Sequence, residues 1–326
     1  MSKRWFTDAA TGLSYALLTD NPCPTRKFYF SMNTWTADDR WLLCQECRPE
    51  GVAVHKILEE NGEDVLLAEN AVCFGTDRKR DIGYYLSGQA LMEMDIQSGA
   101  ARAVAELPKG YKPQGHYTVS RHGLVVNTYK EDCGIYALMV TDPATGKSER
   151  VYRSDGWLGH CQFCPGDDDT IFYVHETGGD ALQRMWMYSI SERIARPFFV
   201  ERDGDWITHE TWDEAGEEVS FIRWPYALMA GRKNGQFFRT VAEGEFHHAA
   251  PSPDRTLYTA DRTSKGQILL IDGQTGRETL LVTDQFALTG EDHCHPSFNR
   301  AGNKIAFSAP RGGVCQLGMI DLAQLP

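Results

Sequence analysis

A unit of about 45 residues, built of short strand-like runs, recurs along this chain and restricts its fold more than any other feature. Aspartate followed by glycine four residues later marks a hairpin at Asp95–Gly99, Asp142–Gly146 and Asp272–Gly276. The first two aspartates are 47 residues apart, and the third lies 130 residues further on, close to three more units. A second turn series runs beside the first, at Asp38-Asp39-Arg40, Arg121-His122-Gly123, Gly166-Asp167-Asp168, Glu214-Ala215-Gly216, Pro253-Asp254-Arg255 and Arg300-Ala301-Gly302. The double-length gap between its first two members predicts a missing turn near Asp77 to Asp81.

Seven such units of four short strands, with few helical patterns to compete, predict a single all-β domain over residues 1–326, a seven-bladed β-propeller. The last unit reads as three strands (293–298, 303–308 and 314–321). The early apolar run Leu13–Leu18 is expected to supply the fourth and close the ring.

The 326 residues carry a formal net charge of −12 and a pI near 5.3. That balance argues against nucleic acid or an anionic membrane surface as partner. The opening residues lack the apolar core of a secretory signal, and no stretch is long and apolar enough to span a bilayer. Nine cysteines are scattered along the chain. Cys44/Cys47 and Cys161/Cys164 have a zinc-ligand spacing, but each pair stands alone in sequence, so buried reduced thiols are the favoured reading over a metal site. Together these features point to the cytoplasm.

Seven of the ten histidines fall near the start of a repeat: His116, His160, His209, His247, His248, His293 and His295. His293 and His295 stand two apart just before a strand-like run, a spacing that puts both on one face of a strand. Neutral imidazole is the commonest metal ligand. Any single one of these histidines is equally explained by blade-stabilising hydrogen bonds; the group is less easily explained so. Gly159-His160-Cys161-Gln162, Val174-His175-Glu176, Gln183-Arg184-Met185-Trp186, Thr208-His209-Glu210 and Phe246-His247-His248 complete the segments that read as a site.

In these segments the chain resembles the oligogalacturonate lyases, seven-bladed cytoplasmic propellers that degrade short pectin fragments. The similarity runs from Tyr29-Phe30-Ser31-Met32-Asn33 to His293-Cys294-His295-Pro296-Ser297-Phe298, and Arg184-Met185-Trp186, Thr208-His209-Glu210 and the final His-x-His occur in the family's order. The resemblance implies a manganese-type divalent metal. It assigns His293 and His295 as ligands and His248 as the third, with His247 as competitor. It assigns His209 as general base and Arg184 to substrate. Where the family has a glutamine ligand, this chain has Gly290; Glu291, a water or Gln162 are the alternatives. His160, His175 and Arg80, the last from the basic run Arg78-Lys79-Arg80, are further candidates for binding substrate.

The implied reaction is β-elimination on di- or trigalacturonates, saturated or unsaturated, releasing a 4,5-unsaturated uronate that becomes a 4-deoxy-5-ketouronate. It needs a base for the C5 proton, charge withdrawal at the C6 carboxylate and an arginine to hold a carboxylate. A small anionic oligosaccharide also suits an acidic protein better than a long polyanion does. A non-catalytic binding propeller and a different propeller metalloenzyme are the rival classes, since fold alone does not separate them.

Overall fold

The structure, a computed structural model, describes residues 3–175 and 182–325. Among these residues seven antiparallel sheets follow one another along the chain. They begin with strands Thr25–Lys27, Val72–Thr76, Tyr111–Val119, Gly159–Phe163, Trp206–Trp212, Ala249–Pro251 and Ser297–Phe298. Each of the first six passes through four strands in sequence order. This is the fold of a seven-bladed β-propeller, as the repeat predicts. Helix is confined to two single 3-10 turns, Thr263–Lys265 and Leu322–Gln324, and no helix among the described residues is long and apolar enough to cross a membrane.

The turn signals act as their chemistry requires. Asp95, Asp142 and Asp272 each accept, through Oδ1, a backbone N–H two or three residues ahead (Ser98 at 2.7 Å, Ala144 at 2.9 Å, Thr275 at 2.7 Å). Gly99, Gly146 and Gly276 then take φ of 75°, 71° and 71°, which a side chain would oppose. The missing turn is present. Asp77 follows strand Val72–Thr76, and its Oδ1 accepts the N–H groups of Lys79 and Arg80 before strand Ile82–Ser87 begins.

The chain divides into two compact units. One comprises Met1–Asn70, Ser220–Ala230 and Arg239–Pro326, the other Ala71–Val219 and Gly231–Phe238. In the second unit, successive residues of one strand serve different cores. Val125 packs with Tyr84, Tyr117 and Tyr129, whereas Val126 packs with Phe163, Ile171 and Tyr173. Alternating side chains face opposite sides of a strand, so a sheet covered on both faces is apolar at consecutive positions rather than at every second one.

In the first unit the N-terminal run completes the last sheet. Strand Ser14–Leu17 pairs antiparallel with Val314–Asp321, with Tyr15 opposite Ile320 and Leu17 opposite Gly318. Tyr15 is fully buried among Phe307, Ile305 and Ile268, and its hydroxyl accepts the Arg311 guanidinium. This is the predicted closure, with two corrections. A fifth strand, Arg4–Thr7, adds outside Ser14–Leu17. The strand expected over 293–298 is only Ser297–Phe298, and His293 to Pro296 are irregular.

Candidate functional site

The first strands of several sheets share a kink that the repeat alone does not reveal. In four of them one residue adopts a left-handed backbone: Cys73 (φ 58°), Gly115 (71°), His160 (45°) and His209 (55°), with His295 (45°) just ahead of the seventh. The ladder slips there in the second, third and fourth sheets, which is a β-bulge. A non-glycine residue in this conformation costs about 1–3 kcal/mol, and such strain concentrates at functional sites. Three of the five are candidate histidines, so the left-handed backbone falls at site positions.

In the first unit the rings of His248 and His295 lie 4.2 Å apart between centroids, His248 and His293 5.4 Å, and His293 and His295 6.0 Å. One ring nitrogen from each lies within 4.8 Å of the other two. Metal–nitrogen bonds of about 2.0–2.2 Å place ligand atoms roughly 3–4 Å apart, within reach of small ring rotations. The donor set therefore fits a first-row divalent ion such as manganese or zinc. Burial, together with neighbouring His248 and Lys27, holds the His295 imidazole well below its ordinary pKa, so it is present in the neutral, ligating form.

The residues around the cluster hold it in place. Asp292, buried, joins the Arg26 guanidinium at 2.7 Å and the Thr289 hydroxyl at 2.9 Å, and the Cys294 carbonyl accepts the Ser308 N–H at 2.8 Å. These bonds fix the irregular segment that carries both histidines, so the pair converges without the strand geometry expected of it. Tyr29 stands 5.0 Å from His295 and Phe30 5.3 Å from His248, ring to ring, forming an aromatic wall. The His247 ring lies 4.9 Å from His293 and packs against Trp224 at 5.9 Å. Glu291, weighed as a fourth ligand, is exposed.

The second unit holds a different arrangement, centred on Glu210, which has no exposed surface. Its Oε1 accepts Arg184 Nε at 2.6 Å, its Oε2 lies 2.9 Å from His160 Nδ1, and its carbonyl accepts Gln162 Nε2 at 2.9 Å. Burial alone would push the Glu210 carboxyl up. Arg184 and His160 outweigh it and hold the group well below the usual carboxylate range. His209, the residue before it, is half-buried on strand Trp206–Trp212. His175 Nδ1 sits 3.3 Å from the Trp157 carbonyl, and burial lowers its pKa. Glu176 lies outside the described residues.

The structure thus brings His248, His293 and His295 together, and His160 with Arg184. It places Arg80 elsewhere, in the turn that follows Thr76, at the far end of its strand from the Cys73 bulge. There its Nε and Nη2 both donate to Oδ2 of Asp77, at 2.8 and 2.6 Å, and a sugar carboxylate would have to displace that aspartate. Gln162, the other alternative ligand, is buried and held against Glu210. All nine cysteines are free thiols. Glu210 stands in the Thr208-His209-Glu210 segment read from sequence, though without a role there; Asp261, buried and accepting the His248 backbone N–H at 2.7 Å, was not singled out, because it carries no local signal.

Against known proteins, the sequence family described as oligogalacturonate lyase matches residues 125–233. An oligogalacturonide lyase of Pectobacterium atrosepticum is 23% identical over 242 residues, which cover 67% of this chain and 62% of that protein. The chain therefore aligns with somewhat less than two thirds of this relative's length. Among solved structures, an oligogalacturonate lyase from Vibrio parahaemolyticus superposes with a TM-score of 0.87 at 18% identity, covering 98% of this chain and 96% of that one. An oligogalacturonate lyase in complex with manganese superposes with a TM-score of 0.89 at 20% identity, covering 99% and 96%. The resemblance to oligogalacturonate lyases is borne out, and at these identities the structural likeness establishes the fold.

Proposed function

We propose that this protein is a metal-dependent lyase that cleaves short oligogalacturonates by β-elimination. The observation that carries the proposal is the convergence of His248, His293 and His295, whose ring nitrogens lie within 4.8 Å of one another on a propeller that superposes on a manganese-bound oligogalacturonate lyase. These three residues would hold the ion. When bound, it would withdraw charge from the C6 carboxylate of a uronate and so acidify the proton on C5.

The chain's own groups supply the rest. His209, in its neutral form, takes the C5 proton. Arg184, oriented by Glu210, pairs with a substrate carboxylate, and His160 and His175 contribute hydrogen bonds to the sugar. Loss of the substituent on C4 then leaves a 4,5-unsaturated product. An acidic protein favours di- and trisaccharides, on which local cations outweigh the net charge. Nine free thiols suit a reducing cytoplasm.

The test is purified protein loaded with Mn2+ and incubated with digalacturonate while absorbance in the ultraviolet band of unsaturated uronates is followed. Absorbance should rise with metal and stay flat after chelation. Formation of neither an unsaturated uronate nor a 4-deoxy-5-ketouronate from saturated or unsaturated digalacturonate or trigalacturonate, by absorbance and by chromatography of the products, would remove the lyase assignment.

A further inference from the structure

Two adjacent histidines, His247 and His248, compete for one ligand position, and sequence alone does not choose between them. The structure places a buried carboxylate beside this pair. Asp261 lies on strand Leu257–Arg262, directly across the ladder from His248: its N–H donates to the His248 carbonyl at 3.0 Å, continuing the pairing of Ala249 with Ala260. Its side chain turns back on the same residue. Oδ1 accepts the His248 backbone N–H at 2.7 Å, and Oδ1 and Oδ2 lie 3.2 and 3.1 Å from His248 Nδ1. Both residues are about 1% exposed. Towards His247, the carbonyl of Asp261 accepts only the backbone N–H, at 2.9 Å.

We propose that Asp261 is the positioning residue of the metal site, committing His248 rather than His247 to ligation through Nε2. The inference rests on the metal-site reading above and deepens it. A carboxylate that accepts from both the backbone N–H and Nδ1–H fixes the ring's rotation and its tautomer. The proton is then on Nδ1, and the Nε2 lone pair faces away from Asp261. Such outer carboxylates orient imidazole ligands and raise their basicity. The Asp261 charge acts on the His247 ring as well, but the contacts that fix a ring's rotation go to His248 Nδ1, and the His247 ring packs on Trp224.

The experiment compares Mn2+ dissociation constants, by calorimetric titration, for the wild type and for Asp261→Ala, Asp261→Asn, His247→Ala and His248→Ala. Circular dichroism and melting of the metal-free proteins establish that each is folded. Asp261→Ala should weaken Mn2+ binding roughly 10–100-fold, and the isosteric Asn variant, which keeps one acceptor, about threefold or more. His248→Ala should abolish tight binding, and His247→Ala should leave it near the wild-type value. With Zn2+ as a diamagnetic substitute, nitrogen-15 spectra should show the Nδ1–H tautomer of His248 in the wild type and lose that fixed tautomer in Asp261→Ala. A purely structural aspartate would lower the melting temperature without moving either readout. If the Ala variant fails to fold, the Asn variant decides. Wild-type affinity in the folded Asp261 variants, or loss of metal in His247→Ala with retention in His248→Ala, would overturn the inference while leaving a metal site standing. A wild type that takes up no Mn2+ would overturn both.

Discussion

Arg184 donates its Nε to Oε1 of Glu210 across 2.6 Å, in a place where the carboxylate has no exposed surface. An ion pair this deep is held by geometry as much as by charge. Removing one partner of a buried pair typically costs about 3–5 kcal/mol, because the other charge loses its compensation.

The first prediction follows from that pair. Glu210→Ala should destabilise the protein on this scale, and Glu210→Gln less. The native carboxyl titrates below its ordinary value of 4.5. A depressed carboxyl contributes stability that is fully present above the unfolded pKa and is lost as pH falls, because the unfolded state then binds the proton first. Urea midpoints of the wild type should therefore drop as pH falls below about 4.5. The drop should be shallower in Glu210→Gln. Parallel curves in the two proteins would show that Glu210 does not carry this acid limb.

The second prediction concerns the completion of the last sheet. Tyr15→Ala removes a fully buried ring packed on Phe307 and should cost about 3–5 kcal/mol. Trp5, on the outer strand, is 55% exposed, so Trp5→Ala should stay within about 0.5 kcal/mol. Deleting residues 1–20 would leave the edge of strand Val314–Asp321 unpaired and should promote aggregation. A truncated protein that melts with the wild type and stays monodisperse would contradict this account of closure.

How far the sequence could be read depended on what kind of signal each residue gives. Asp95–Gly99 and its relatives are local chemistry, with the carboxylate, the turn and the left-handed glycine all within five residues, so the repeat and the turn at Asp77 were legible. Ser14–Leu17 was legible because Tyr15, Ala16 and Leu17 form an apolar run. Arg4–Thr7 was not, since its residues are largely exposed and show no alternation. His293 and His295 were found for a reason the structure changes. They sit on an irregular segment pinned by Asp292, one of them left-handed, where a strand was expected. Glu210, Asp261 and the Arg80–Asp77 pairing depend on which distant or turn-forming groups the chain brings together, and spacing in sequence carries no record of that.

The third prediction is a pH dependence of opposite origin. Lys27 is about 1% exposed, and its ammonium donates to the Phe28 carbonyl at 3.0 Å. Burial lowers its pKa from 10.5 to about 7. Below about pH 7 both folded and unfolded states hold the proton, and the folded state carries the full penalty of a buried charge. Between about 7 and 10.5 the unfolded state binds more protons, so this group makes stability rise with pH. Lys27→Met, of similar volume, should be more stable than the wild type at pH 6 by up to roughly a few kcal/mol, and the gap should shrink towards pH 10. A constant gap across that range would show that the Lys27 proton is not the cause.

The last prediction separates base from ligand. His209 adopts a left-handed backbone on strand Trp206–Trp212, immediately before Glu210, and the proposed reaction gives it the C5 proton. His209→Ala should lower turnover of digalacturonate roughly 100-fold or more, the usual scale for a lost general base. Its manganese content should match the wild type. His293→Ala should lose activity and metal together, because its ring belongs to the converging set. Arg184→Lys should mainly raise KM, since a lysine keeps the charge but cannot both bond Glu210 through Nε and hold a carboxylate with a planar fork. Measuring turnover, KM and metal content on the same preparations distinguishes the three roles. A His209 variant with low turnover and no metal would make that residue a ligand, and one with near-normal turnover would take it out of the mechanism.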